Sequence, residues 1–433
     1  MSDRAVLRQA LDRIATLGER REPAGYELDG LAPQLVVAPE SPAALQEILA
    51  LANEAGLATV PWGGGTQMGL GNLPRAFDLA IDLRKLNAIV QYEPDDLTVA
   101  VQAGCTLAEL SARLGVHGQM LPVDCPTADR TTIGGLVAAG LSGPRRYGYG
   151  ALRDLLIGIT VALPSGQLSR GGGMVVKNVS GYDMMRLHHG ALGSLGVIVQ
   201  LNFKVIPKPR SERTVIATYR GLADAAEAAL QVRFSQLVPT AIVLLDAGAA
   251  RAVGIETSGW AAALRCEGPP AAVQRQADRI VEAVRPVAER VEVLAERETE
   301  RFWAAVAGTI GAARLGRAIR VRIGQTPSEL PRVAEEIERA CAGLQLDMLR
   351  TLDLGSGLCY VTLAAEHEDD LRLAWERLAG LGLHAALLSA PPGVKVDIDV
   401  FGRQPAGLAV MRALKETFDP KGILNPSRFV GRL

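Results

Sequence analysis

The chain has 433 residues, 48% of them hydrophobic and 21% charged, with a formal net charge of -1. That length is enough for about two to three domains, and the charge balance excludes a strongly basic surface of the kind that binds nucleic acid or anionic membranes. Five cysteines, Cys105, Cys125, Cys266, Cys341 and Cys359, contain no C-x-x-C pair, which argues against a disulfide framework or a cysteine metal site and favours a reducing, cytoplasmic setting.

The N-terminal stretch mixes acidic and basic residues, lacks the apolar core of a secretory signal and reads as a short amphipathic helix. No apolar run approaches the ~20 residues that cross a bilayer, so no transmembrane segment is expected. Val36 to Ala38, a helix over Pro42 to Ala55 with Ser41 as its N-cap, and Ala58 to Pro61 form a β-α-β unit. Strands follow at Leu79 to Leu83 and Leu97 to Val101, then a helix over Leu107 to Leu114 that Thr106 caps. A longer strand, Leu155 to Leu163, meets a hairpin signal at Pro164-Ser165-Gly166. A short helix is expected over Ser180 to His189, and a strand from Gly196 to Ile206 stops at Pro207 and Pro209.

Beyond the prolines the order becomes β-α-β-β-α-β: Thr214 to Tyr219, the helix Ala223 to Phe234, Ala241 to Asp246, Ala261 to Cys266, the helix Ala271 to Glu289, and Val291 to Leu294. After a helical connection carrying Phe302 and Trp303, the order repeats with Ile319 to Ile323, the helix Ser328 to Ala342, Met348 to Leu354, Leu358 to Leu363, the helix Asp369 to Leu381 and Ala385 to Ser389. Two split β-α-β units in tandem predict one broad, mostly antiparallel sheet with helices on one face. From Gly393 the tail, with a helix over Gly407 to Phe418 between turn signals, is expected to return to the first domain.

The stretch ATVPWGGGTQMGLG organises this pattern. Gly63, Gly64 and Gly65 have no Cβ, so the chain there can turn through positive φ and gather backbone N–H groups around one anion. Two more glycine-rich segments follow, Thr131 to Gly143 and Gly190 to Ile198, and three such bends imply an elongated ligand. A dinucleotide fingerprint is absent, because Met68 stands where its last glycine belongs, and no Gly-Lys-Ser/Thr phosphate loop exists. There is no G-x-S-x-G elbow, and His367-Glu368 lacks the second histidine of a zinc protease.

PWGGGTQMG, TIGGLVAAGLSGPRRYG, VVKNVSGYDMMRLHHGALGSLGVI and FDPKGILNP together resemble the FAD-binding oxidases of the vanillyl-alcohol oxidase (PCMH) type, and most nearly the FAD-binding subunit of bacterial glycolate oxidase. The resemblance implies an α+β architecture: an N-terminal helix (1–29), a two-subdomain PCMH-type FAD-binding domain (30–210), a cap with an antiparallel sheet built from two split β-α-β units (211–392), and a C-terminal segment (393–433) returning to the FAD domain. It implies that FAD is held by Trp62, Gly63, Gly64, Gly65, Thr66, Gln67, Met68 and Gly69, by Thr131, Thr132, Ile133, Gly134, Gly135, Ser142 and Gly143, and by Gly196, Val197 and Ile198.

In relatives with covalent flavin a histidine commonly stands where Thr66 does, so the FAD is expected to be non-covalent. Cys125 sits in a C-P-T context like that of some bicovalent relatives, but ten residues from Gly135, which is more than that pattern has. Arg145 and Arg146 read either as anion partners or as solvated surface arginines. Lys177 and Asn178 precede a helix that Ser180 or Asp183 caps, Tyr182 is read as packing, and His188 and His189 as structural.

The G-D-G-N and E-H-G segments that carry metal ligands and a base in related 2-hydroxyacid dehydrogenases are missing; Glu366-His367-Glu368 is the nearest stretch, on a face read as solvated, and Leu192 stands where those enzymes often have glutamate. No catalytic residue and no metal site is therefore assigned. The resemblance implies a complex acting on a small 2-hydroxy acid, with a second flavin subunit and an iron–sulfur subunit, located in the cytoplasm or peripherally at the inner membrane. Two alternatives stay open: an autonomous flavin oxidase or dehydrogenase using Arg320 or Arg322 for a substrate carboxylate, and a non-redox scaffold.

Overall fold

The computed structural model describes residues 3–175, 181–311 and 315–433; Lys177, Asn178 and Ser180 lie outside the described residues. Strands Leu35–Ala38, Leu79–Asp82 and Thr59–Trp62 form a parallel core sheet, and the polar strand Glu19–Arg21 adds antiparallel to its edge. Helix Pro42–Ala55 packs on it, with Ser41 Oγ accepting the Ala44 N–H at 3.2 Å and Gly56 closing the helix at φ 69°. Ile14, from the helix Asp3–Ile14, is fully buried among Leu45, Ile48 and Leu49. The N-terminal segment is thus built into the first layer of the molecule.

A second sheet, all antiparallel, runs Ile89–Glu93, Thr98–Gln102, Val197–Lys204, Leu156–Ala162, Leu168–Gly172. Helix Leu107–Gly115 covers one side, started by a reciprocal cap in which Thr106 Oγ1 takes the Glu109 N–H and Glu109 takes that of Thr106. The strand Val197–Lys204 stops just before the prolines, as expected, and Ile206–Pro207 pairs with Gln119–Met120 in a separate two-stranded sheet. The expected helix Ser180 to His189 is shorter, Met184–His188, capped by Asp183.

The cap is one eight-stranded antiparallel sheet. Its order is Arg290–Leu294, Ser211–Tyr219, Trp260–Gly268, Ala241–Asp246, Asp347–Asp353, Leu358–Ala364, Ala318–Gly324, His384–Ser389. Each split unit keeps the same internal order and the two meet through their second strands. Helices Leu222–Arg233, Pro270–Val284, Leu330–Cys341 and Glu368–Ala379 cover one face. In the third of these, Leu330, Val333, Ala334, Ile337 and Cys341 recur at helical spacing and are all buried, each large aliphatic chain contributing roughly 1.5–3 kcal/mol.

The second face is not bare: the connecting helix Glu296–Ile310 lays Phe302, Trp303 and Val306 on it, and Trp303 Nε1 donates to Thr214 Oγ1 at 2.8 Å in the interior.

A cluster of buried charges joins the cap to the first domain. Arg145 pairs with Glu267 at 2.7 Å, while Arg265 pairs with Glu212 at 2.5 Å and reaches Asp124 at 3.4 Å. Burial works against the Glu267 carboxylate, but Arg265 and Arg145 outweigh it and hold its pKa below the usual range. Arg145 is therefore neither a solvated arginine nor open to an anion.

Candidate functional site

The strand Thr59–Trp62 delivers the first glycine bend. Its last residue, Trp62, is packed between Tyr26 (centroids 5.2 Å) and Phe77 (6.5 Å, stacked), and Tyr26 Oη donates to the buried Asp82 carboxylate at 2.6 Å. The bend beyond is anchored on its far side, where Arg428 donates to the carbonyls of Met68 at 3.0 Å and Leu70 at 2.6 Å.

A continuous cleft opens between this bend and two other segments. One end is lined by Gly63 to Met68 with Thr132, Gly135, Ala138, Ala139, Leu192, Asn425 and Arg428. The other, sharing Pro61, Gly63, Thr132, Gly135, Ala138 and Leu192, extends to Trp62, Leu83, Ala103, Gly134, Gly193, Gly196, Val197 and Ile198. All three glycine-rich stretches thus meet on one elongated space.

The three stretches do different work. Among the described residues no acceptor takes the amide N–H of Gly64, Gly65, Thr66 or Gln67, so the first bend holds a run of open donors. In the second stretch, the amides of Ile133 and Gly134 are already given to Cys105 and Ala103, and that of Gly135 to Thr132 Oγ1. Its glycines allow close approach instead: a Cβ on Gly134 would come within 2.6 Å of Ala103 Cβ. The third stretch hangs from the helix Ile133–Ala139 through Gly190 N to Val137 O and Leu192 N to Ala138 O, both 2.9 Å.

Of the residues expected to hold cofactor, Gly69, Thr131, Ile133, Ser142 and Gly143 do not line the cleft. The Gly69 carbonyl accepts from Lys395, Ile133 is fully buried in the core of the second sheet, and Gly143 abuts Asp124. Thr131 Oγ1 donates to Thr66 Oγ1 at 3.0 Å and receives Cys125 Sγ at 3.4 Å, so it supports the bend from behind.

Conversely, Asn425 and Arg428 enter the cleft from the tail. Asn425 Nδ2 donates to Leu192 O at 2.7 Å, tying the third stretch to the first through the C-terminal segment. The FDPKGILNP motif was the available signal; its place beside the glycine bend is a product of the chain's return.

Other candidates fall elsewhere. His188 is buried edge-on to Phe418 at 5.9 Å, and burial pulls its pKa down to about 4. Tyr182, expected to pack, is 91% exposed. Arg320 is 4% exposed and donates to Thr362 and to the carbonyls of Gly308 and Gly311 at the end of the connecting helix, which suits a cation at a helix C-terminus. Glu366, His367 and Glu368 are exposed, and among the described residues no three His, Cys, Asp or Glu side chains are grouped to hold a metal.

The cleft suits an anion at the glycine bend: among the described residues it has open amide donors and no carboxylate in its lining. The buried Gln67 side-chain oxygen, with no hydrogen-bond partner among the described residues, is free to accept from a donor group of the same ligand. On the cap side, the cleft-lining residues Leu70, Ala139 and Leu192, with Leu141, pack against Ile310, Leu358, Tyr360 and Leu388.

Comparison with known proteins agrees. Residues 33–172 match the FAD binding domain family, and residues 208–381 with 402–429 match the C-terminal domain of FAD linked oxidases. The chain belongs to the FAD-linked oxidases and is an FAD-binding oxidoreductase. It is 26% identical over 426 residues to the glycolate oxidase subunit GlcD of Bacillus subtilis (92% of this chain, 89% of the relative). It is 29% identical over 357 residues to the glycolate oxidase subunit GlcE of Escherichia coli (82% and 87%).

In fold it is similar to p-cresol methylhydroxylase, with TM-score 0.77 and 16% identity over 98% of this chain and 96% of the other. No helix among the described residues is long and apolar enough to cross a membrane.

Proposed function

We propose that this chain is the FAD-binding subunit of a complex that oxidises a small 2-hydroxy acid, and that its flavin passes electrons rather than meeting the substrate. The observation that carries this reading is the contrast between the donors of the cleft and the apolar cap side chains packed against its lining. Gly64 to Gln67 offer the donors a diphosphate needs, while Gly135, Ala138 and Gly196 leave room for the rest of the cofactor.

Removing a proton from a hydroxy acid needs a positioned base. Among the described residues, the only ionisable side chain in the cleft lining is Arg428, engaged with Met68, Leu70 and Asn425, and the cap side chains packed against that lining are aliphatic apart from Tyr360, whose hydroxyl is pushed up to about 12 by burial. When bound, FAD supplies the electron-accepting chemistry; this chain's residues bind it, orient it and exclude water. Thr66, engaged with Thr131, leaves the cofactor non-covalent in this reading. The relatives named as glycolate oxidase subunits support assembly with other chains, here a second flavin subunit and an iron–sulfur subunit.

The test is purification alone and with the subunits encoded beside it, followed by anaerobic addition of glycolate or D-lactate. The reading expects a flavin released by acid precipitation, unbleached in the lone chain and bleached in the complex. Bleaching of the lone chain by either acid would overturn it in favour of an autonomous enzyme.

A further inference from the structure

Leu192 keeps a side chain where the backbone favours glycine. Its φ is +53°, in the left-handed region that bulky residues rarely enter, and its neighbours in the turn, Gly190 (φ 77°) and Gly193 (φ 69°), are the residues that enter it freely. A leucine held there is strained. Such strain persists only where the surrounding structure imposes it, and it gathers at ligand clamps.

The surroundings do impose it. Leu192 N donates to Ala138 O at 2.9 Å, and Leu192 O accepts from Asn425 Nδ2 at 2.7 Å. Asn425 cannot turn its amide round: it is 2% exposed, its own N–H goes to Thr59 O at 2.9 Å, and its Oδ1 takes Arg428 Nη1 at 3.0 Å. The donating end must therefore face Leu192. Asn425 is itself left-handed at φ 44°, a conformation that asparagine tolerates, and a Cβ on Gly193 would come within 3.3 Å of Nδ2. The tail and the third glycine stretch lock each other.

The locked side chain joins three parts of the molecule. It lines both ends of the cleft, and its Cδ1 lies 3.3 Å from where a Cβ on Gly71 would sit, just past the first bend. It also packs against the cluster of Leu70, Ile310, Tyr360 and Leu388, through which the cleft meets the cap. One aliphatic group thus stands between the space for the cofactor and the cap sheet.

We propose that Leu192 walls off the bound flavin on the cap side and keeps small solutes from it, and that Asn425 is the positioning residue that holds this wall in place. The inference rests on FAD lying in the cleft and not on the subunit reading.

The test uses the full chain with its FAD, as wild type, Leu192→Gly, Leu192→Met and Asn425→Asp. Reduction by dithionite is followed by stopped flow without oxygen, and the visible flavin band is recorded for each. Leu192→Gly removes the wall and takes the left-handed backbone without strain, whereas Leu192→Met keeps the bulk. Asn425→Asp keeps an acceptor for Arg428 and removes the donor to Leu192 O. Leu192→Gly and Asn425→Asp are expected to be reduced at least about fivefold faster than wild type, with the shoulders of the flavin band smoothed as water reaches the ring. Leu192→Met is expected to keep the wild-type rate.

A Leu192→Gly chain with wild-type rate and spectrum would leave Leu192 as packing between domains and overturn the inference. Wild-type bound flavin reduced as fast as free FAD would overturn it too, and that measurement needs no variant to fold. A fast Leu192→Gly beside an Asn425→Asp of wild-type rate would overturn the role of Asn425. Bleaching by a hydroxy acid, which decides the subunit reading, is measured separately, so either can fail without the other.

Discussion

Lys395 Nζ lies 3.0 Å from a carboxylate oxygen of Asp29, two residues 366 positions apart in the chain. The same ammonium donates to Gly69 O at 2.8 Å and Gly71 O at 3.2 Å, so one side chain at the start of the C-terminal segment fixes both the N-terminal segment and the back of the glycine bend. Lys395 is 1% exposed. Removing one partner of a buried pair leaves the other charge stranded, which costs about 3–5 kcal/mol. Lys395→Met is expected to lower the unfolding free energy measured in urea by that order and to release FAD more readily, with Asp29→Asn in the same chain recovering part of the stability.

Gly64 carries the tightest approach in the bend: a Cβ there would sit 1.6 Å from the carbonyl oxygen of Arg130. Backbone cannot give way as a flexible side chain does, so Gly64→Ala is expected to displace the bend and cut the flavin-to-protein absorbance ratio by at least about tenfold. The remote core should keep its far-ultraviolet dichroism, since an overpacked site of this kind costs about 1–3 kcal/mol.

His188 predicts an acid-side loss of stability. Its folded pKa, about 4, lies below the ~6.5 of an unfolded histidine. The unfolded chain therefore holds the extra proton between these values; the contribution is complete above pH ~6.5 and fades as pH falls toward 4, by up to about 3 kcal/mol. Unfolding free energies measured across that window should fall less steeply for His188→Leu than for the wild type.

Asp353 has the opposite sign. Buried at 1% exposure, its carboxyl is pushed up to about 7 by desolvation, although the Ser356 amide donates to it at 3.0 Å. Here the folded chain holds the extra proton, so the contribution is complete below pH ~4 and is lost as pH rises to about 7. Asp353→Asn keeps an acceptor for Ser356 and removes the titration. It is expected to melt higher than wild type at pH 8 and to differ little at pH 4; equal melting at pH 8 would contradict the assignment.

Much of this architecture was legible in the residues. The alternation of apolar strands with amphipathic helices placed both split units in order, and helices such as Pro42–Ala55 carried their caps in plain view. Misses fell where burial does not pattern the chain. Glu19–Arg21 is a polar strand and Ile89–Glu93 a half-exposed one, both at sheet edges and held by backbone pairing that leaves no period-two hydrophobic signature. The helix Ile133–Ala139 hid in a glycine-rich run because its glycines serve close packing.

The cleft was legible at its glycine bends, whose backbone needs are local. Asn425 and Arg428 were not, because their place depends on how the last forty residues thread back past the first domain. Arg145 was misread for a related reason: its partners Glu212 and Glu267 come from the cap, and nothing near it in sequence announces them.

The strands of the two halves of the cap sheet pair at three positions, Val243 with Asp353, Leu244 with Leu352 and Leu245 with Thr351, with Asp246 accepting from Arg350 N and Nε across the same seam, whereas Ser211–Tyr219 zips to Trp260–Gly268 over its full length. Such a joint concentrates weakness in one place. Heat or mechanical load would part the sheet there first, into two four-stranded leaves each still backed by its own pair of helices.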